Sequence, residues 1–344
     1  MQLNVPYRFA IAMFREDGAE VGTVLAKRDW EPVADWTRFY YQRRGALPLA
    51  ESGSASILPL WERTLGEPYC RGYCVQIEQP DRQPVTSDFP NTHFRDFASS
   101  AASVYVEQKK LRAGEYYTYM VLAHPAQPGG AAAGGLSVID ASPSLPAHDG
   151  SLEAFLAKAT PSGVIDRADM PVFVRNQVLE DASALTHQHQ GTEVGGILIG
   201  KLWRDEAVGE IFAEITAQIT AEHTMGTNVK LTFTADTWAA ADAALRLRNR
   251  GEIPLGFVHS HPVREWCSGK ACTLEAQKTC HLAKDFFSED DEAVMRAAFP
   301  RAYSVAIVAN DTAFAELTFS MFGNREGLTK PRGFYFMEGD TSGT

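Results

Sequence analysis

The sequence is short of basic residues and of long apolar runs. Its 344 residues include 32 Lys and Arg against 43 Asp and Glu, which gives a formal net charge of −11. This charge disfavours nucleic acid or an anionic membrane as a partner, because both bind basic surfaces. No apolar run reaches the roughly 20 residues that cross a bilayer. We therefore expect no nucleic-acid partner and no membrane partner.

Cysteine is also scarce and unevenly placed. The five cysteines fall in two groups, Cys70 with Cys74, and Cys267 with Cys272 and Cys280. An odd number in two clusters fits reduced thiols better than a disulfide framework. Residues 1–14 lack the basic start and long apolar core of a secretion signal. We therefore expect a cytoplasmic protein.

Several common hydrolase and nucleotide-binding signatures are missing. No His-Glu-x-x-His helix and no Gly-x-Ser-x-Gly elbow occur. The segment from Gly195 to Lys201 approaches a P-loop, but the residues between its glycines are apolar. Leu202 also stands where Ser or Thr would bind Mg²⁺. Nucleotide binding is therefore not expected.

The length and the composition of the segments indicate two domains. Residues 1–124 have strand and helix signals of an α+β domain whose role the sequence does not name. Residues 125–169, rich in Pro, Gly and Ala at their start, are predicted to be a linker. Residues 170–338 mix strands and helices too irregularly for a doubly wound sheet, and 339–344 are predicted to be a flexible tail. The predicted fold class is α/β of the α+β kind.

The most informative stretch is His259-Ser260-His261-Pro262, which ends the apolar run 253–258. Side chains two positions apart on a strand lie on the same face, so both imidazoles can reach one metal ion. Pro262 has no N–H to donate and stops the ladder. The sequence therefore predicts a metal site at the rim of a sheet.

The third metal ligand is sought among carboxylates, because two histidines usually share an ion with one and leave a position for water. Residues 288–291, Ser-Glu-Asp-Asp, open a predicted helix, and positions i and i+3 of a helix share a face. Asp291 is therefore a candidate ligand, and Ser288 a candidate hydrogen-bond donor to an oxyanion. A capping box explains the same pair, and the two interpretations are compatible.

A fourth candidate is Glu193, which precedes the apolar run 194–200. A carboxylate at the mouth of a buried strand is costly to bury unless it is paired or functional. A hydrolytic metal site also needs a base that takes a proton from water. Glu193 fits that role; the alternative is a solvated residue that ends a loop.

These elements together resemble the JAMM/MPN family of zinc metalloproteases. The resemblance rests on Glu193, the His-Ser-His-Pro strand end, and Ser288 followed three residues later by Asp291. The predicted order of elements over 170–323, less than half the chain, is similar to the MPN fold. The resemblance thus implies a C-terminal mixed sheet flanked by helices, preceded by a smaller α+β domain.

The resemblance also implies roles for these residues. One catalytic Zn²⁺ would be held by His259, His261 and Asp291. Glu193 would be the catalytic acid and base, and Ser288 would steady the tetrahedral intermediate. The implied enzyme is an isopeptidase that cleaves a ubiquitin-like protein from its conjugates or precursor after the C-terminal Gly. Its implied partners are that protein, its conjugates, and E1- or E2-like enzymes of the same bacterial operon.

The spacing between the second histidine and the serine departs from the family. The family usually has seven residues there, whereas residues 262–287 number 26. Ser268 lies near the expected position, but Ala271 stands where the family has Asp. We therefore interpret residues 263–286 as an insertion and keep Asp291 as the ligand. The fallback ligands are Asp290 and Asp285.

The insertion concentrates potential metal-binding side chains, namely Cys267, Cys272, Cys280 and His281. Their spacing matches no common zinc finger, so a second, structural zinc ion, reduced thiols and a redox role all stay open. If the insertion contacts the substrate, Trp266 is a candidate contact residue. Packing within the loop is the alternative for Trp266.

Two other functions are compatible with the same residues. A JAMM hydrolase that trims an adduct or peptide from a sulfur-carrier protein would use an identical active site. A non-catalytic MPN scaffold normally lacks one or more of the ligands, whereas all four elements are present here. The leading hypothesis is therefore the isopeptidase.

Overall fold

The structure is a computed structural model that describes residues 3–49, 53–63, 68–80, 82–126, 144–189, 191–221, 233–266, 286–312 and 317–337. The chain divides into two compact units, the first of residues 1–42 and 46–144 and the second of residues 43–45 and 145–344. Each unit contains a mixed sheet with helices, so the predicted α+β class is confirmed. Within the described ranges, no helix is long and apolar enough to cross a membrane.

The first unit is built on one sheet. Its strands are β1 (Leu3–Asn4), β2 (Tyr7–Arg15), β3 (Glu20–Leu25), β4 (Ala55–Glu62), β5 (Tyr69–Gln79), β6 (Arg82–Pro90) and β7 (Tyr117–Pro125), and its helices are α1 (Glu31–Arg43) and α2 (Arg95–Glu107). The strand order is β1-β4-β5-β7-β2-β3, with β6 paired to β5. Aromatic rings fill the core, where Phe9, Trp30, Tyr73 and Phe94 lie in mutual contact.

The second unit contains the predicted metal ligands. Its strands are β8 (Ala147–Asp149), β9 (Ala159–Ser162), β10 (Val172–Arg175), β11 (Gly195–Asp205), β12 (Glu210–Thr220), β13 (Ile253–His261), β14 (Val305–Asn310), β15 (Thr318–Arg325), β16 (Leu328–Arg332) and β17 (Phe334–Met337). Its helices are α3 (Leu152–Leu156), α4 (Asn176–Gln188), α5 (Ala235–Arg248), α6 (Val263–Trp266) and α7 (Glu289–Ala298).

The sheet of the second unit is strongly curved. Its order is β16-β15-β14-β13-β11-β12-β10-β17-β9, with β8 paired to β11. Only Gly333 separates β16 from β17, yet β16 pairs with β15 at one end of this order and β17 pairs with β10 near the other. One nearly continuous segment therefore joins the two sides of the sheet, which curves like a barrel wall.

The strands β11, β13 and β14 form the buried centre of this sheet. One face packs on α5 and α7 through Ile197, Phe257, Val308, Met295 and Phe299, all almost fully buried. On the opposite face, Ala182 and Thr186 of α4 lie near Val258, Ser260 and Ala309. Burial on both faces explains why β13 and β14 are continuous apolar runs.

A glycine allows the close approach of β13 to β14. Gly256 has a φ of +154°, and a Cβ placed there would lie 1.6 Å from the carbonyl oxygen of Val305. Any side chain would therefore push the two strands apart. These strands pair in parallel from Gly256 with Val305 to His261 with Asn310, so the contact fixes the register that positions the histidines.

The boundary between the units differs from the predicted linker over 125–169. The second unit begins at Leu145, and residues within the predicted linker form β8, α3 and β9. β8 pairs with β11, and β9 pairs with β17. These short segments are held by pairing with distant strands, which their own composition does not reveal. Residues 127–143 and the predicted tail 339–344 lie outside the described residues.

Candidate metal centre

The strand β13 presents both histidines on the face that α7 covers. His259 and His261 are each 1% exposed. Their Nε2 atoms lie 2.9 Å apart, so the two rings converge on one point. Alternation along a strand places i and i+2 on one face, and the predicted side-by-side histidines are found in that arrangement.

Ser260, between the two histidines, points the other way and anchors a neighbouring segment. Its Oγ accepts a hydrogen bond from the Val194 N–H at 3.0 Å. Its own backbone N–H donates to the Val194 carbonyl at 2.8 Å. These two bonds extend the pairing of β11 with β13 beyond Gly195, which pairs with His259. The segment that contains Glu193 is thereby tied to the histidine strand.

Asp291 on α7 completes the convergence. Its Oδ1 lies 3.0 Å from the Nε2 of His259, and its Oδ2 lies 3.5 Å from the Nε2 of His261. The residue is 8% exposed. The three side chains offer ligand atoms that all lie within 4.8 Å of one another. The structure therefore brings together the three residues that the sequence nominated as metal ligands.

Ser288 and Asp291 also form a capping box. The Ser288 Oγ accepts from the Asp291 N–H at 3.1 Å, and the Asp291 Oδ2 accepts from the Ser288 N–H at 2.8 Å. A hydroxyl that accepts one hydrogen bond still has its own proton to donate. The capping interpretation is thus confirmed, and it is compatible with the functional one, because the cap fixes the carboxylate that faces the histidines.

Burial and mutual contacts shift the pKa values of two members of this cluster. Burial acts to raise the pKa of Asp291, but the charge of His259 and hydrogen bonds from both histidines and the Ser288 backbone outweigh it. The net pKa of Asp291 lies well below its usual range. Burial lowers the pKa of His261 to about 4, although Asp291 acts in the opposite direction. Asp291 is thus ionised and His261 neutral, which are the forms of these two groups that bind metals.

The spacing of these atoms fits a small tetrahedral ion. Zn²⁺ binds imidazole nitrogen and carboxylate oxygen at about 2.0–2.2 Å, so neighbouring ligand atoms lie about 3.3 Å apart. The nitrogen–nitrogen distance of 2.9 Å and the two nitrogen–oxygen distances of 3.0 and 3.5 Å bracket that value. Two His and one carboxylate are also a known catalytic zinc ligand set. The donor set therefore fits zinc.

Glu193 is buried at the same edge of the sheet. It is 4% exposed and stands two residues before Gly195, the partner of His259. If the antiparallel register continued two residues beyond Gly195, Glu193 would lie opposite His261, on the face of both histidines. A buried carboxylate at this position is consistent with the predicted acid and base.

The fallback ligand Asp290 does not join the cluster. It is exposed on the first turn of α7, while its neighbour Asp291 is turned inward. The other fallback, Asp285, lies outside the described residues, as do Cys267, Cys272, Cys280 and His281. The hypotheses about a second zinc ion, reduced thiols or a redox role therefore stay open.

The two described ends of the insertion meet beside His261. The rings of Trp266 and Phe286 lie 6.0 Å apart, and each contacts the His261 ring, at 5.0 and 5.6 Å between centroids. The residues between them, 267–285, lie outside the described part of the chain.

Asn310 is a polar residue of this site that the sequence analysis missed. It is fully buried at the end of β14 and pairs in register with His261. Parallel register partners project to the same face, so its side chain lies on the face of the histidines. The signal for Asn310 in the sequence is an amide side chain directly after a predicted apolar strand. Its closeness to His261 could not be predicted, because it depends on the order of the strands in the sheet.

Comparisons with known proteins add little to this geometry. No family model matches the chain, and no curated protein matches it. Among solved structures, the chain is similar to the solution structure of protein DSY2949 from Desulfitobacterium hafniense. The identity is 15% and the TM-score 0.31, over 49% of this chain and 94% of that chain. Similarity this low assigns neither a family nor an activity.

Proposed function

We propose that this chain is a zinc-dependent hydrolase of the JAMM/MPN type. Its proposed reaction is cleavage of a ubiquitin-like protein from its conjugates or precursor, after the C-terminal Gly. The observation that carries the proposal is the convergence of His259, His261 and Asp291, whose ligand atoms lie within 4.8 Å. A second support is the order in which Glu193, the histidine pair and Ser288 follow one another in the sequence.

The three converging side chains would hold the zinc ion. When bound, Zn²⁺ supplies Lewis-acid activation of water and of a scissile carbonyl. The two histidines that would hold it are almost fully buried. Electrostatic interactions with reacting groups are stronger in such surroundings than in water.

Glu193 is assigned the proton transfers of the reaction. Its carboxylate would take a proton from the attacking water and return it to the leaving amine. The assignment is supported by its burial and by its position two residues before Gly195, the register partner of His259.

Ser288 is assigned the stabilisation of negative charge on the substrate. Its Oγ is fixed by the Asp291 N–H at 3.1 Å, and its hydroxyl proton would be donated to the developing oxyanion. A donor held in place before the reaction lowers the barrier by about 3 kcal/mol. The N-terminus of α7 adds partial positive charge at the same point.

The partners and compartment are proposed on the same basis. The ubiquitin-like protein and its conjugates are the proposed substrates, and E1- or E2-like enzymes are the proposed companions. The compartment proposed is the cytoplasm, where the thiols of the chain stay reduced.

The proposal is tested with a panel of ubiquitin-like proteins fused through their C-terminal Gly to a reporter. Cleavage is measured for the purified protein, for the protein treated with a chelator, and after zinc is restored. We expect cleavage after the Gly, its loss with chelator, and its return with zinc. A variant with Cys267, Cys272 and Cys280 changed to Ser, assayed for zinc content, restricts the metal measurement to the histidine centre. If that variant contains no zinc, the proposal is overturned.

A further inference from the structure

Three buried polar atoms of the candidate metal centre have no hydrogen-bond partner among the described residues. They are the Nδ1 atoms of His259 and His261 on β13 and the Oδ1 of Asn310 on β14. Leaving a buried polar atom unpaired costs about 1–3 kcal/mol, so such atoms call for an explanation. An imidazole Nδ1 can donate, whereas the amide oxygen of Asn310 can only accept.

The two residues are placed to pair with each other. His261 and Asn310 are register partners in the parallel ladder of β13 and β14. Neighbouring strands lie about 4.8 Å apart, and each of the two atoms is two bonds from its Cβ. A change in the angle of the His261 ring, with the Asn310 amide kept in place, is the movement that would join donor and acceptor, directly or through one water.

The orientation of the Asn310 amide is fixed from its other side. Its Nδ2 donates to the Thr318 carbonyl at 3.4 Å and to the Ser320 Oγ at 3.2 Å, both on β15. A carbonyl oxygen can only accept, so the nitrogen of the amide must face β15. The oxygen is thereby left on the side away from β15, as an acceptor.

The chemistry of a ligating histidine supplies the reason for this acceptor. A neutral imidazole has one N–H, and the Nε2 of His261 faces His259 and Asp291. When Nε2 gives its lone pair to a metal, the proton must be on Nδ1. Ligating histidines almost always donate that N–H to a carbonyl, carboxylate or water.

We propose that Asn310 is a positioning residue for the metal centre, which accepts a hydrogen bond from the Nδ1–H of His261 when a metal is bound. This inference rests on the proposed function. The bond selects the tautomer of His261 that exposes the Nε2 lone pair and fixes the angle of the ring. The Nδ1 of His259 also lacks a partner among the described residues, and its register partners Gly195 and Val308 bring no polar side chain.

The test compares three variants in the background that lacks Cys267, Cys272 and Cys280. Asn310→Leu removes the acceptor and keeps the number and branching of the side-chain heavy atoms, and Asn310→Asp retains an acceptor. Val308→Ala is the matched control, a fully buried residue on the same face and strand. Zinc affinity is measured by competition with a chromogenic chelator, and folding of the metal-free proteins by thermal unfolding.

We expect Asn310→Leu to bind zinc about 10–100-fold more weakly than the parent. Asn310→Asp should bind at least as tightly as the parent, and Val308→Ala should bind like the parent despite its lower stability. Long-range ¹H–¹⁵N NMR supplies a readout that loss of packing would not change. The Nδ1–H of His261 should give a protected signal in the zinc-bound parent and in Asn310→Asp, and lose that protection in Asn310→Leu.

The possible failures are distinguishable. If the parent binds no zinc, the proposed function and this inference are both overturned. If the parent binds zinc and Asn310→Leu binds it equally well, only the role of Asn310 is overturned. Should Asn310→Leu not fold, Asn310→Ala replaces it, and equal weakening in Asn310→Ala and Asn310→Asp would also overturn the role.

Discussion

Ser288 and Asp291 exchange two hydrogen bonds across the first turn of α7, and the same Asp291 carboxylate lies 3.0 Å from the Nε2 of His259. Asp291 thus accepts a hydrogen bond from the backbone at the start of the helix and also faces two buried histidines. The cap restricts the rotamer of the carboxylate, so the metal centre is preorganised by an interaction that is local in sequence.

The first prediction concerns the choice between adjacent acids. Asp291→Asn should abolish zinc binding or weaken it by more than the 10–100-fold associated with an outer residue, because it removes a charged ligand. Asp290→Asn changes an exposed acid of the same helical turn and should leave zinc binding unchanged. Chelator competition measures both. Zinc loss in Asp290→Asn with retention in Asp291→Asn would reverse the assignment.

The second prediction separates the capping role of Ser288 from its catalytic role. Ser288→Ala should lower the free energy of unfolding by about 1 kcal/mol and reduce cleavage by about 10²–10³-fold. Thr234 caps α5 in the same way, since its Oγ accepts from the Thr237 N–H at 3.3 Å. Thr234→Ala should therefore lose similar stability and cleave normally. Urea unfolding and cleavage rates provide the comparison, and equal activities would remove Ser288 from the mechanism.

The third prediction isolates Glu193. Glu193→Gln keeps the size and polarity of a buried side chain but cannot take a proton. We expect zinc content and folding to be retained, and cleavage to fall by about 10²–10⁴-fold. Glu265→Gln, a change to an exposed acid on α6, is the control and should cleave normally. Unimpaired cleavage by Glu193→Gln would exclude it as the acid and base.

The convergence of His259, His261 and Asp291 was largely predictable because its pieces are local patterns. The alternation of β13 decides that His259 and His261 share a face, and helical spacing decides that Ser288 and Asp291 do. The choice of Asp291 over Asp290 followed from the same periodicity. The assignment of these residues to the JAMM/MPN family stays a prediction.

Features that depend on distant pairing could not be predicted in this way. β8 is three residues long and exists because it pairs with β11. β6 is polar and mostly exposed, so it has no apolar pattern, yet it pairs with β5 along its length. The position of Asn310 beside His261 likewise follows from the parallel pairing of β13 and β14. Register between strands far apart in sequence is a tertiary property.

The fourth prediction concerns the pH dependence of stability without metal. The folded pKa of His261 is about 4, below its ordinary value near 6.5. The unfolded chain therefore binds the proton first, so stability should fall as the pH drops from about 6.5 to about 4. The slope from one such group is about 1.4 kcal/mol per pH unit. The lowered pKa of Asp291 adds a further loss below about pH 4.

Urea unfolding of the metal-free protein between pH 7.5 and 4.5 measures this effect. His261→Gln should flatten the dependence, whereas His187→Gln, which changes an exposed residue of α4, should not. Added zinc should stabilise the parent more at pH 7.5 than at pH 5, because protons compete for the ligands. An identical pH dependence in His261→Gln and the parent would contradict the prediction.

The fifth prediction is that the metal centre does not need residues 267–285. The rings of Trp266 and Phe286 both contact the His261 ring, so we expect a direct connection between the two residues to keep the strand end and the start of α7 beside each other. Seven residues then separate His261 from Ser288, the spacing of the family that the site resembles. The shortened protein should bind zinc at the histidine centre like the parent, measured by chelator competition.

A longer deletion provides the control for this experiment. Removing 265–285 leaves five residues in the connection, so Ser288 and Asp291 would be pulled away from the histidines and zinc affinity should fall. If the removed segment contacts the substrate, deletion of 267–285 should raise KM with a smaller effect on kcat, because binding is lost and the reacting groups remain. Loss of zinc in the shorter deletion would mean that the segment is part of the metal centre. The 26-residue connection would then be a departure from the family in the site itself, and the resemblance would have to rest on Glu193 and the histidines.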